Sequence, residues 1–142
     1  MALLKRRDDK IDILAEVPLF AGLSKKELGE IARLVTEVHY QPGEHLAREG
    51  EMGREAMVIL DGKGTVRRGG RKIADVSPGD VVGEMSIVTR RPRTASVKAD
   101  TPVTALVMSA REFSSLMDQQ PQVGLKILRT VADRLAEATG AD

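Results

Sequence analysis

The period of the apolar residues changes twice along the 142-residue chain. Near the start, Ile11, Leu14 and Ala15 fall at helical spacing, and Pro18 stops that segment. Ser24 and Glu27 then stand three apart, the arrangement in which a hydroxyl caps one orphan amide while a carboxylate reaches back to another. Leu28, Ile31, Ala32 and Val35 follow as one apolar stripe, so residues 8–37 are predicted to be helical. From residue 38 the texture becomes β-type. The runs Val38–Tyr40, Met57–Leu60, Thr65–Arg67, Lys72–Val76, Ser96–Lys98 and Val103–Met108 are separated by Pro-Gly, Asp-Gly and Gly-Gly turn signals. Helical spacing returns after residue 108. Ser109 and Glu112 make a second reciprocal cap before Phe113, Leu116 and Met117, Pro121 suits a first helical turn, and Val123, Ile127, Leu128, Val131 and Leu135 continue the stripe.

Helices, then many closely spaced strands, then helices in one short chain imply an α+β fold. The expectation is an antiparallel β-sandwich or jelly-roll barrel over residues 38–108, flanked by N-terminal helices (8–37) and two C-terminal helices (109–138). A chain of this length fits a single domain spanning residues 1–142. In the last helix Gly124, Leu128, Val131, Leu135 and Ala138 are spaced 4, 3, 4 and 3 apart. That spacing admits either packing back on the β unit or a coiled-coil seam joining two copies as a homodimer.

Composition removes several function classes. The chain has no cysteine, so neither a disulfide framework nor a thiolate metal site is available, which suits the cytoplasm. Lys5, Arg6 and Arg7 are not followed by an apolar stretch, and no run approaches a membrane span, so the chain reads as neither exported nor membrane-bound. With 22 basic and 21 acidic residues and only Phe20, Tyr40 and Phe113 as aromatics, it lacks both the basic excess and the stacking surface of a nucleic-acid binder. The pairs Arg67-Arg68 and Arg90-Arg91 are short, and Arg67-Arg68 reads as a solvated face. His39 and His45 are the sole histidines, which leaves no serine or cysteine nucleophile with a base and no cupin-type metal set. No catalytic residue, metal ligand or cofactor is expected, and the chain reads as non-enzymatic.

The informative segment runs from Gly79 to Val97. Gly83 lets the backbone approach a ligand, and the apolar stretch after Glu84 (Met85, Ile87, Val88) suits a short helix whose first amides would face an anion. Arg93 follows Pro92 and is presented from a restricted backbone; its planar fork of donors matches phosphate oxygens. Glu84 offers acceptors for a sugar hydroxyl. On residue types alone, a plain Glu84–Arg93 salt bridge is the commoner arrangement and a ligand site the alternative.

Val82-Gly83-Glu84-Met85-Ser86-Ile87 followed by Pro92-Arg93-Thr94-Ala95-Ser96-Val97 resembles the phosphate-binding cassette of the cyclic-nucleotide-binding domain family. That family includes catabolite activator proteins, regulatory subunits of cyclic-AMP-dependent kinase and cyclic-nucleotide-gated channels. Further segments are similar to it in order: Leu19–Ser24 to its leading turn, Gln41–Glu44 and Arg48–Glu51 to an early hairpin, and Val58–Gly62 to its central strand. The resemblance implies a cassette over residues 83–95 and a ligand site of Val82, Gly83, Glu84, Met85, Ser86, Arg93, Thr94 and Ala95. Glu84 would take the ribose hydroxyl and Arg93 the cyclic phosphate, with the Ser86 and Ala95 amides and the Thr94 hydroxyl beside them. Cyclic AMP is the expected ligand and cyclic GMP the alternative. Val82 and Gly64 stand where the family has larger apolar residues, which places the apolar wall in question. The implied function is a sensor that signals through its C-terminal helices to an unidentified protein effector, either as a stand-alone domain or as the sensor half of a transcription regulator. The rival is an interaction domain of the same fold whose pocket has lost its nucleotide.

Overall fold

The computed structural model describes residues 7–83 and 90–140. The chain divides into two compact units, residues 35–113 and residues 1–34 together with 114–142.

Among the described residues of the first unit, eight strands form two four-stranded sheets: β1 (Thr36–Tyr40), β2 (His45–Ala47), β3 (Glu55–Asp61), β4 (Gly64–Arg68), β5 (Arg71–Val76), β6 (Val81–Val82), β7 (Ser96–Ala99) and β8 (Val103–Ser109). The sheet orders are β1-β8-β3-β6 and β2-β7-β4-β5, all pairs antiparallel. The pairing is nested. β1 lies against β8, β2 against β7, β3 against β6 and β4 against β5, so the segment is one long hairpin rolled into the expected jelly roll, with the Gly69-Gly70 turn at its tip. The β3–β8 and β4–β7 pairs then join the arms of that hairpin into the two sheets.

The inner faces meet in an aliphatic core that includes Leu46, Met57, Ile59, Val76, Val82, Val97, Val103 and Val107. Alternation places these side chains on one face of each strand. Removing a fully buried one such as Ile59 would cost about 2–5 kcal/mol. Gly64 is closed in between neighbouring strands: a Cβ there would stand 2.7 Å from the Lys98 carbonyl oxygen of β7 and 2.9 Å from Val76 Cγ2 of β5.

The second unit holds α1 (Arg7–Ala15), a 3-10 turn at Pro18–Phe20, α2 (Lys25–Ala32), most of α3 (Ala110–Gln119) and α4 (Pro121–Thr139). Its buried apolar residues, among those described, are Ile11, Leu14, Val17, Leu28, Ile31, Ala32, Leu116, Val123 and Ile127. Both reciprocal caps are formed: Ser24 N donates to Glu27 Oε1 at 2.8 Å and Glu27 N to Ser24 Oγ at 3.2 Å, and Ser109 and Glu112 repeat the exchange at 3.2 and 3.1 Å. Glu27 Oε1 also accepts from Lys126 Nζ at 2.7 Å, tying α2 to α4. Gly124 packs against Met117, where a Cβ would stand 2.8 Å from the methionine sulfur. The exposed apolar stripe of α4 is therefore Leu125, Leu128, Val131 and Leu135, at 44–63% exposure.

Three expectations need correction. The N-terminal helical stretch ends at Ala32, and the chain is already in β1 at Thr36. β2 and β6 were not predicted, because three and two residues are too few to display alternation. The early hairpin over residues 41–51 is not one: β1 and β2 pair with β8 and β7 in different sheets. Among the described residues no helix is long and apolar enough to cross a membrane.

Candidate functional site

Arg93 is the centre of the site. Its main chain bonds on both sides to the 48–51 loop, with Gly50 N donating to Arg93 O at 2.8 Å and Arg93 N donating to Glu51 O at 2.8 Å. Pro92 bridges Met52 in the same short ladder. The restriction expected from Pro92 is thus reinforced by cross-loop pairing.

The Arg93 side chain is 9% exposed. Its Nη2 donates to the Glu55 carbonyl at 2.7 Å and its Nη1 to the Gly83 carbonyl at 3.3 Å. The two carbonyls fix the plane of the guanidinium, whose fork of donors is rigid. Gly83 is a bend at φ 81°, in the left-handed region where glycine carries no steric penalty.

Arg93 borders two hollows. One, of about 190 Å³, has an apolar floor of Ala47, Val66, Val76, Val82 and Val97 and a rim of Gly83, Arg93, Thr94 and Ala95. The other, of about 460 Å³, is lined by Leu46, Ala47, Arg48, Glu51, Met52, Arg54, Glu55 and Arg93. The first has the character of a small-molecule site: apolar walls, with a few convergent polar groups that fix orientation. Val82 and Gly64 do not breach its wall. Val82 is 6% exposed and forms part of the floor, while Gly64 is held by packing against β5 and β7.

Of the residues expected from the sequence, Val82, Gly83, Arg93, Thr94 and Ala95 come together around this hollow. Glu84, Met85 and Ser86 lie outside the described residues. Sequence reasoning missed Glu55, which orients Arg93 through its carbonyl, and Arg68, whose Nε donates to the Thr94 carbonyl at 3.0 Å. Main-chain acceptors leave no residue-type signal, and nothing in the type of an exposed arginine such as Arg68 tells which carbonyl it meets.

The histidines lie elsewhere. His39 Nε2 pairs with Glu37 at 2.9 Å and its Nδ1 meets Thr104 Oγ1 at 3.1 Å. His45, in β2, has its pKa lowered by burial first and by the Arg48 and Lys98 charges next, with Glu51 opposing. The Tyr40 phenol is pushed up by burial, then by Glu55 and Glu44, while Arg93 pulls it down.

A family model described as "Cyclic nucleotide-binding domain" matches residues 37–120. A cyclic nucleotide-gated potassium channel of Rhizobium etli is 31% identical over 132 residues, covering 91% of this chain and 37% of its own length. The chain spans only 10–20% of several other curated relatives. Among solved structures, the N-terminal domain of a transcriptional regulator from Streptomyces coelicolor matches with TM-score 0.82 and 32% identity, covering 92% of this chain and 96% of that one. The regulatory subunit of a cAMP-independent protein kinase A from Trypanosoma brucei matches with TM-score 0.77 and 26% identity, covering 93% and 46%.

Proposed function

Because the chain belongs to the cyclic nucleotide-binding domain family, we propose that it is a non-catalytic sensor that holds a cyclic nucleotide in the hollow beside Arg93, with cyclic AMP as the ligand ahead of cyclic GMP. The observation that carries this reading is the Arg93 guanidinium, charged, almost fully buried and oriented by two carbonyls at the polar rim of an apolar hollow. Phosphate at the arginine and purine over the aliphatic floor is the division of labour this lining suits. Glu84 for the ribose hydroxyl, the Ser86 and Ala95 amides for the phosphate, and the Thr94 hydroxyl are part of the proposal, as is the cytoplasm as the compartment.

On the output side, the apolar stripe of α4 is the surface through which the sensor signals. Its heptad positions Leu128, Val131, Leu135 and Ala138 suit a second copy of the same helix. A protein effector or an attached output domain would read that state.

The test is thermal unfolding and titration calorimetry with cyclic AMP and cyclic GMP. A ligand at about 100 times its dissociation constant adds about 2.7 kcal/mol of stability. Arg93→Ala and Glu84→Ala should weaken binding about tenfold to a thousandfold. Arg93→Lys should also fail, since a compact ammonium cannot reproduce the planar fork of donors. The similarity to a kinase subunit described as cAMP-independent favours one second reading, an interaction domain of the same fold with no nucleotide. Absence of any stabilisation by either nucleotide would establish that reading instead.

A further inference from the structure

The segment that carries Arg93 is gripped from both sides, and the second grip is a side chain that no expectation included. On one side stand the main-chain bonds from Gly50 and Glu51. On the other, β4 runs beside β7 with Arg67 opposite Ser96, so the turn after β4 overhangs the residues just before β7. From that overhang Arg68 Nε donates to the Thr94 carbonyl at 3.0 Å. The two jaws are joined to each other: Gly69 N donates to Glu49 Oε1 at 2.9 Å, and Glu49 N donates to Ser96 Oγ at 2.8 Å. Residues 49–50, 68–69 and 93–96 thus close a ring of hydrogen bonds that meets the rim of the hollow at Arg93 and Thr94.

We infer that Arg68 is a positioning residue for the anion site, acting through the Thr94 carbonyl to hold the Arg93–Thr94 backbone in the orientation that receives phosphate. The inference rests on the nucleotide reading proposed above. Recognition by a planar fork requires its backbone to be held within about 0.5 Å, which a loop anchored on one side alone does not secure. The donor is charged, which strengthens the bond to a carbonyl; it is also exposed, which limits how much the bond contributes. The contribution is therefore modest and concentrated on ligand affinity rather than on folding. Among the described residues only Nε is engaged, so a lysine at this position, unlike one at Arg93, keeps the function.

The experiment titrates cyclic AMP and cyclic GMP into the wild-type chain, Arg68→Ala and Arg68→Lys at about 50 mM and about 300 mM salt. The carbonyl carbon resonance of Thr94 is followed in the ligand-free proteins. Arg68→Ala should bind about three- to tenfold more weakly at both salt concentrations, shift the Thr94 resonance and keep the wild-type unfolding midpoint; Arg68→Lys should restore affinity to within about twofold. Wild-type affinity in Arg68→Ala, or a loss that disappears at the higher salt, would overturn the inference, the latter because the charge would then act only through its long-range field. A wild-type chain that binds neither nucleotide would remove the nucleotide reading and this inference together, and that failure is visible before any substitution is made.

Discussion

Gly83 and Arg93 are fitted to each other: the Gly83 carbonyl accepts from Arg93 Nη1, and a methyl group on Gly83 would overlap that same nitrogen. It would also stand 2.8 Å from the Glu55 carbonyl, the second acceptor of the guanidinium. The glycine is required twice over, for its positive φ of 81° and for the space the arginine occupies. Gly83→Ala should therefore behave as an arginine mutant. The left-handed conformation alone costs about 1–2 kcal/mol, and the displaced guanidinium should weaken nucleotide binding at least about tenfold, measured by calorimetry beside Arg93→Ala. Unchanged affinity in Gly83→Ala would show that the pair is not coupled.

At Gly64 the neighbours are the backbone of β7 and the side chain of Val76, so restoring a larger apolar residue should harm rather than help. Gly64→Val should lower stability by about 1–3 kcal/mol in urea denaturation, because the Lys98 carbonyl cannot swing away as a flexible side chain would.

Two groups give stability the same dependence on pH. The Lys126 ammonium, the Ser24 amide and the Ser24 hydroxyl hold Glu27 below its ordinary value of 4.5, while burial pushes the other way. A carboxylate with a depressed folded-state pKa contributes stability that is present above the unfolded value and is lost as pH falls through the folded one. His45 is held below 6.5, so the unfolded chain takes up its proton first and stability declines as pH drops below that value. Stability should thus fall in two stages on acidification. His45→Gln should flatten the upper stage and Glu27→Gln the lower, as read by denaturation midpoints between about pH 3 and about pH 8.

The α4 stripe predicts self-association. Leu128 and Leu135 are 61% and 63% exposed one heptad apart, which a solitary helix gains nothing from. Sedimentation at increasing concentration should show a dimer, and Leu128→Asp with Leu135→Asp should abolish it together with any rise of the unfolding midpoint with protein concentration. A monomer at all concentrations would assign the stripe to a different partner.

What the sequence disclosed depended on range. Both reciprocal caps were legible because each is complete within four consecutive residues, and the longer strands were legible from β-branched runs bounded by turn signals. The cassette was legible through its resemblance to the family over Val82–Ile87 and Pro92–Val97, whereas residue types alone left a plain Glu84–Arg93 salt bridge open. Sheet partnership was not legible: nothing local tells β2 to leave β1 and seek β7. The bond made by the exposed Arg68 was hidden for the same reason, since its partner Thr94 lies 26 residues away and becomes a neighbour only through the β4–β7 pairing.

The nesting of the strands has a consequence for the order of assembly. The innermost pair is joined by a two-glycine turn and can form as soon as it is synthesised, whereas Thr36 must wait for Val107, about 70 residues later, before its ladder can close. During synthesis β1 therefore leaves the ribosome with an unfilled edge and stays without its partner until almost the whole roll has emerged. Zipping would proceed outward from the tip that carries Arg68, so the rim of the hollow is shaped before the barrel is sealed.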